Sequence, residues 1–170
     1  MRAPDPAKAL AEFRDGAWRD PASTMMGTEQ ESWLFHQFAR TKGTWAVLGT
    51  GTNMGYNYTP EEALNWFPSD MQDSRKGYVR QGIASAKAGL PYNLDNWGGY
   101  PVARSRVFSA AQKHDLNLVV VSGDSHNGWA FDLPQDGRPA GVEFGGHSVS
   151  SPGIESSTVG TDPSRIARDI

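Results

Sequence analysis

Apolar positions along the chain change period several times, and each change marks an element. Trp33, Leu34 and Phe38 recur at helical spacing up to Arg40, which predicts a helix with Gly43 as its C′ residue. Thr28 and Glu31 ahead of it have the spacing of a capping box. TWAVLG (44–49) is a short apolar run bounded by glycine and reads as a buried strand. The following stretch, 50–58, is rich in Gly, Asn and Tyr and reads as a loop.

Thr59-Pro60 opens a short helix, because proline suits a first helical turn, and a longer helix is predicted over 73–87. After a loop at 89–99, Ala103, Val107, Ala110 and Ala111 give a helix from Pro101 to about His114. Three consecutive valines then mark a buried strand at 117–122. Strands at 129–133 and 142–144 are predicted to pair as a hairpin across PQDGRPAG, where Asp136-Gly137 is the turn signal. Residues 145–162 read as a Gly- and Ser-rich loop, with Asp162-Pro163 starting a last helix. At the other end, residues 1–27 read as irregular, with 1–23 a lead-in carrying a short helix around 7–14. No repeat or interdomain linker interrupts this order, so 1–170 is expected to be a single region of α/β class, its layers built of helix and sheet.

Composition narrows the picture. A chain of 170 residues suits one domain that buries about two-thirds of its unfolded surface. With 38% hydrophobic and 21% charged residues it is globular rather than disordered. A net charge of −3 with no block of like charges leaves no footprint for nucleic acid or an anionic membrane. The absence of cysteine excludes disulfides, thiolate metal sites and a cysteine nucleophile. Met1 is followed by no apolar export leader, and no apolar run is long enough to cross a bilayer.

The chemistry concentrates in VVVSGDSHNGWAFDL (119–133). Asp124 and His126 stand just past a buried strand, where ligand sites of open α/β sheets collect. A carboxylate and an imidazole two residues apart can share a cation, with partners drawn from elsewhere. The bland reading makes Asp124 a turn cap and His126 a solvated histidine, and spacing alone leaves that reading ahead. A third reading makes Ser125 a nucleophile, since strand-Gly-Asp-Ser resembles the first block of GDSL-type serine hydrolases. That chemistry wants a downstream histidine with an Asp three residues before it, and neither His126 nor His147 has one.

Tyr100 and Arg104, four apart at a helix start, can present a hydroxyl and a guanidinium to a phosphate, or can simply pack on each other. Asn53 and Tyr56 follow a strand and can line a pocket. His147 is a lone loop histidine, and His36 is expected only to pack.

Four segments, in order, resemble the C-terminal half of the PhoD-type alkaline phosphatases, a branch of the calcineurin-like metallophosphoesterases. They are TMMGTEQESWL (24–34), WAVLGTGTNM (45–54), DNWGGYPVARSRV (95–107), and NLVVVSGDSHNGWAFDL with VEFGGHSVSSPG (117–133 and 142–153). The last resembles the family's GD-x-H and S-V-[ST]-S-P motifs.

The resemblance implies part of a four-layer α/β/β/α sandwich and metal-dependent hydrolysis of phosphate mono- or diesters, with iron and calcium as the metals. It places Asp124 and His126 on metal ligands, gives Tyr100 and Arg104 substrate-phosphate or supporting roles, and makes Asn127 a supporting or turn residue. A periplasmic or secreted location is implied for full-length relatives; oligomeric state is not implied at all.

Departures set limits on the resemblance. Gly98 stands where the family usually has Asp, Thr50-Gly51 where it often has two glutamines, and His147 lies in a stretch that commonly differs. The family's first half, with its own acidic and Asn/His ligands, is expected upstream of residue 1. The chain is therefore read as an incomplete share of a phosphatase, weak or inactive alone. A non-catalytic α/β module that keeps the fold without the metal centre is the rival, and the serine hydrolase is third.

Overall fold

The strand pattern of the sequence forms one four-stranded sheet. In this structure, a computed structural model that describes residues 5–68, 73–157 and 168, the strands are β1 (Ala46–Gly49), β2 (Leu118–Ser122), β3 (Trp129–Gln135) and β4 (Arg138–Gly145). Their spatial order is β1-β2-β4-β3; β1, β2 and β4 run parallel, and β3 runs antiparallel to β4. The unbroken valine run belongs to β2 because that strand has a neighbour on both sides, as inner parallel strands do. The hairpin is longer than predicted. Only Asp136 and Gly137 remain as the turn, with φ of 52° and 72°, the two positive values that a type I′ connection requires.

One face of the sheet carries the core. Helix α4 (Pro101–Lys113) lays Ala103, Val107, Phe108 and Ala111 against Leu118, Val120, Leu133 and Ala140 of the strands. Helix α2 (Thr28–Arg40) adds Leu34 and Phe38 to the same cluster. On the other face, Val47 is 66%, Val121 44% and Phe144 54% exposed. Val121 pairs in register with Phe144 and, on its other side, with Gly49, so these residues form a continuous bare stripe.

The N-terminal stretch is more ordered than an irregular lead-in. Helix α1 (Pro6–Asp15) starts at Asp5, whose carboxylate accepts from the Ala7 amide at 3.0 Å. A short 3-10 turn then buries Trp18, which donates to the Gly98 carbonyl at 2.7 Å. The capping box does not form. Gly27 is the N-cap of α2, and Glu31 instead takes the guanidinium of Arg106 on α4, with Thr24 donating to it at 3.1 Å. A guanidinium fork fills both carboxylate oxygens, which a single backbone amide cannot do.

Helix α2 stops at Arg40 with Thr41 as its C-cap, short of the Gly43 terminus predicted. Helix α3 (Asp73–Lys87) matches its predicted range, and the short helix after Pro60 is a 3-10 segment, Glu61–Asn65. The helix predicted from Asp162 lies outside the described residues. Among those described, no helix is long and apolar enough to cross a membrane.

Candidate active site

Parallel strands aim their carboxyl ends the same way, so the segments after β1, β2 and β4 emerge at one end of the sheet. The turn after β2 holds Asp124 and His126. Both adopt the left-handed conformation, at φ 70° and 62°, so the backbone is bent sharply at each. The Ser125 amide closes on the Gly123 carbonyl at 2.9 Å, and its hydroxyl donates to the Asn127 carbonyl at 3.0 Å.

The His126 Nδ1 lies 3.0 Å from the Pro152 carbonyl oxygen. A carbonyl only accepts, so Nδ1 carries a proton and Nε2 is the ring nitrogen left to serve as a ligand. Two further bonds fasten this turn to the segment after β4: Ser148 N–H donates to the His126 carbonyl at 3.0 Å, and Ile154 N–H donates to Asn127 Oδ1 at 3.1 Å. The Asp124 side chain is exposed and has no protein partner among the described residues.

The loop after β1 packs beside this turn. Asn53 donates to the Ser122 hydroxyl at 3.0 Å, two residues ahead of Asp124. Met54 and Gly55 donate their amides to the buried carboxylate of Glu143 on β4, at 2.9 and 2.6 Å. Gly55 is obligatory there, because a Cβ would stand 2.3 Å from the Phe131 ring. Arg104 donates to the Met54 carbonyl at 2.6 Å, its guanidinium 4.2 Å from the Tyr56 ring and 4.4 Å from that of Phe108. Burial lowers the Arg104 pKa, against the opposing pull of Tyr56 and Glu143, and burial raises that of the Tyr56 hydroxyl.

The Asp124 carboxylate and the free Nε2 of His126 are donors that suit iron and other borderline cations. Among the described residues, no group of three or more His, Asp or Glu gathers to hold a metal ion. The pair therefore fits as a share of a coordination shell and does not amount to a two-metal centre.

The family model of PhoD-like phosphatases matches residues 1–169. The chain belongs to the PhoD-like phosphatase family. It is similar to alkaline phosphatase D of Bacillus subtilis (strain 168), 29% identical over 141 residues, which is 79% of this chain and 20% of that protein. A solved structure of PhoD aligns with it at a TM-score of 0.56 and 29% identity, over 79% of this chain and 22% of that one. This PhoD-like chain thus spans about a fifth of the length of the curated relative it matches. Its mixed α/β architecture agrees with that of the solved PhoD structure.

On this PhoD-like scaffold the residues singled out from sequence separate into two groups. Asp124, His126 and Asn127 share one turn, held by the S-S-P-G segment. Arg104, Tyr56 and Asn53 gather around the 53–56 loop, where Arg104 braces the loop from behind. Tyr100 caps α4 and packs half-buried against the core. His147 is exposed, and so is His36, which was expected to pack. Glu143 went unnoticed. Strand alternation in VEFG sets Glu143 opposite the apolar Val142 and Phe144, which reads it as the outward residue, whereas Phe144 is the exposed one.

Gly98, where an Asp is usual in the family, is enclosed: a Cβ would lie 2.4 Å from the Asn93 carbonyl and 2.8 Å from Asn96 Oδ1. An Asp cannot enter this loop without moving it.

Proposed function

We propose that this chain is a portion of a PhoD-like phosphatase that hydrolyses phosphate mono- or diesters, and that Asp124 and His126 are its contribution to the metal centre. The observation that carries this is the His126 ring. Its Nδ1–H is fixed on a backbone carbonyl, which leaves Nε2 as the ring nitrogen for a cation, two residues along the turn from Asp124; a ring so fastened is typical of metal-ligating histidines. Asp124 and His126 would hold a share of the metal, iron with calcium by resemblance, which when bound would supply Lewis-acid polarisation of a phosphoryl group.

The chain's own residues do the rest. The left-handed turn presents the two ligands, and Asn127 and Ser148 tether it to the segment after β4. Asn53 ties the 53–56 loop to Ser122 at the base of the turn, and Tyr100, the N-cap residue of α4, is assigned to the phosphate by the resemblance alone. The remaining ligands come from polypeptide outside these residues. The bare face of the sheet supports this, being the surface that the sandwich's second sheet would cover.

A non-catalytic module is the second reading, favoured by the absence of a third ligand among the described residues. The serine-hydrolase reading is disfavoured, because the Ser125 hydroxyl is tied to its own turn and His126 faces Pro152.

Turnover of an aryl phosphodiester by the longer protein, with and without chelator, decides among these. Chelator-sensitive turnover that survives Ser125→Ala and collapses with His126→Ala is the expected result. Indifference to chelator with loss on Ser125→Ala would sink the metal reading. Absence of both turnover and bound metal would establish the non-catalytic module.

A further inference from the structure

Glu143 is fully buried, at 0% exposed, in the middle of a sheet, and the chemistry proposed above leaves it without a part. Burying a carboxylate is costly unless donors surround it. Here the donors are the consecutive backbone amides of Met54 and Gly55, with the Asn53 side-chain amide at 3.5 Å as a longer contact. The loop curls around the carboxylate as a backbone nest curls around an anion.

The same Asn53 amide nitrogen donates to Ser122 Oγ at 3.0 Å, and the Ser122 carbonyl accepts from the Gly146 amide at 2.8 Å. Ser122 lies two residues before Asp124. A continuous set of hydrogen bonds thus runs from Glu143 through the 53–55 loop to the base of the ligand turn.

We infer that Glu143 is a positioning residue for the site: its carboxylate sets the 53–55 loop, and through Asn53 and Ser122 it sets the turn that presents Asp124 and His126. This rests on the phosphatase reading of that turn. Glu143 touches neither substrate nor metal. It works by fixing a second structure that does.

Amide hydrogen exchange followed by NMR on this chain, paired with kinetics of the longer phosphatase, tests the role. Glu143→Gln keeps the shape but turns one acceptor into an NH2 group facing a backbone donor. Exchange is expected to quicken about tenfold or more at Met54 and Gly55, and also at Ser125 and Gly146, which bond to Gly123 and Ser122. A buried acid that only fills the sheet would alter the first pair alone, and that result would overturn the inference. In the longer protein, kcat on an aryl phosphate should fall roughly 10–100-fold with KM little changed, as when a partner of a metal ligand is removed, and Glu143→Asp should recover part of it. An unchanged kcat would equally overturn it.

If Glu143→Gln does not fold, Ser122→Ala cuts the same path without leaving a buried carboxylate unpaired. Faster exchange at Ser125 together with lower kcat supports the inference; neither change overturns it. If the unaltered longer protein shows no chelator-sensitive turnover, the phosphatase reading fails, while the exchange pattern still decides whether Glu143 governs the turn.

Discussion

Among single residues, the Glu31–Arg106 pair ties helix to helix. Arg106 donates to both carboxylate oxygens and also to the Pro21 and Ser23 carbonyls, so one side chain joins α4 to α2 and to the preceding loop. This bonding holds the Glu31 carboxyl below the usual glutamate range. A group with a depressed folded pKa stabilises the fold above its unfolded pKa and loses that effect as pH falls through the folded value. Glu31→Gln should therefore cost about 2 kcal/mol at neutral pH, and the gap from the unaltered chain should close under acid. Melting temperatures of both proteins across pH 7 to about pH 3 measure it. Asp124 is the opposite case, exposed and held at φ 70° with no described partner. Asp124→Gly should raise the unfolding free energy of the metal-free chain by about 0.5 kcal/mol, by relieving the left-handed strain, while removing the carboxylate. Denaturant melts combined with a metal-content assay separate the two effects.

At the level of elements, the 93–99 loop is locked by its own carbonyls and by Trp18. Gly98→Asp, which installs the residue usual in the family, should destabilise the chain by about 1–3 kcal/mol and release Trp18, seen as a shift in tryptophan emission. Most elements were legible in the sequence. Helix α4 announces itself through alanines and valine at 3.6-residue spacing, β2 through its valine run, and the hairpin through Asp136-Gly137, because each signal is local. The sharp turn at Asp124 and His126 was legible as a turn for the same reason, lying within a few consecutive residues. Partnerships across the chain were not. Trp18 meets a carbonyl 80 residues away, Glu31 an arginine 75 away, and Glu143 amides up to 89 away. A periodicity reading has no access to such pairs, so it assigned Glu31 to its nearest amides and passed over Glu143.

Across the whole molecule, the two faces of the sheet differ. One is packed under α2 and α4, and the other leaves Val47, Val121 and Phe144 open. An apolar stripe of this kind drives association when nothing covers it. Sedimentation of this chain alone should show concentration-dependent self-association, and Val121→Lys should suppress it. In the longer protein proposed above, the same substitution should lower stability by at least ~3 kcal/mol, because the proposed second sheet would bury the charge; an unchanged melt there would refute that covering sheet. The strand order also bears on how the chain reaches this state. The β3–β4 hairpin closes over two residues, whereas β4 meets β2, and Glu143 meets the 53–55 loop, only across long spans of chain. Short loops close first and long-range pairings follow. Folding should therefore travel from the Asp136-Gly137 turn toward the opposite end of the sheet. The segments proposed to carry the chemistry should be the last to settle in synthesis and the first to loosen under stress.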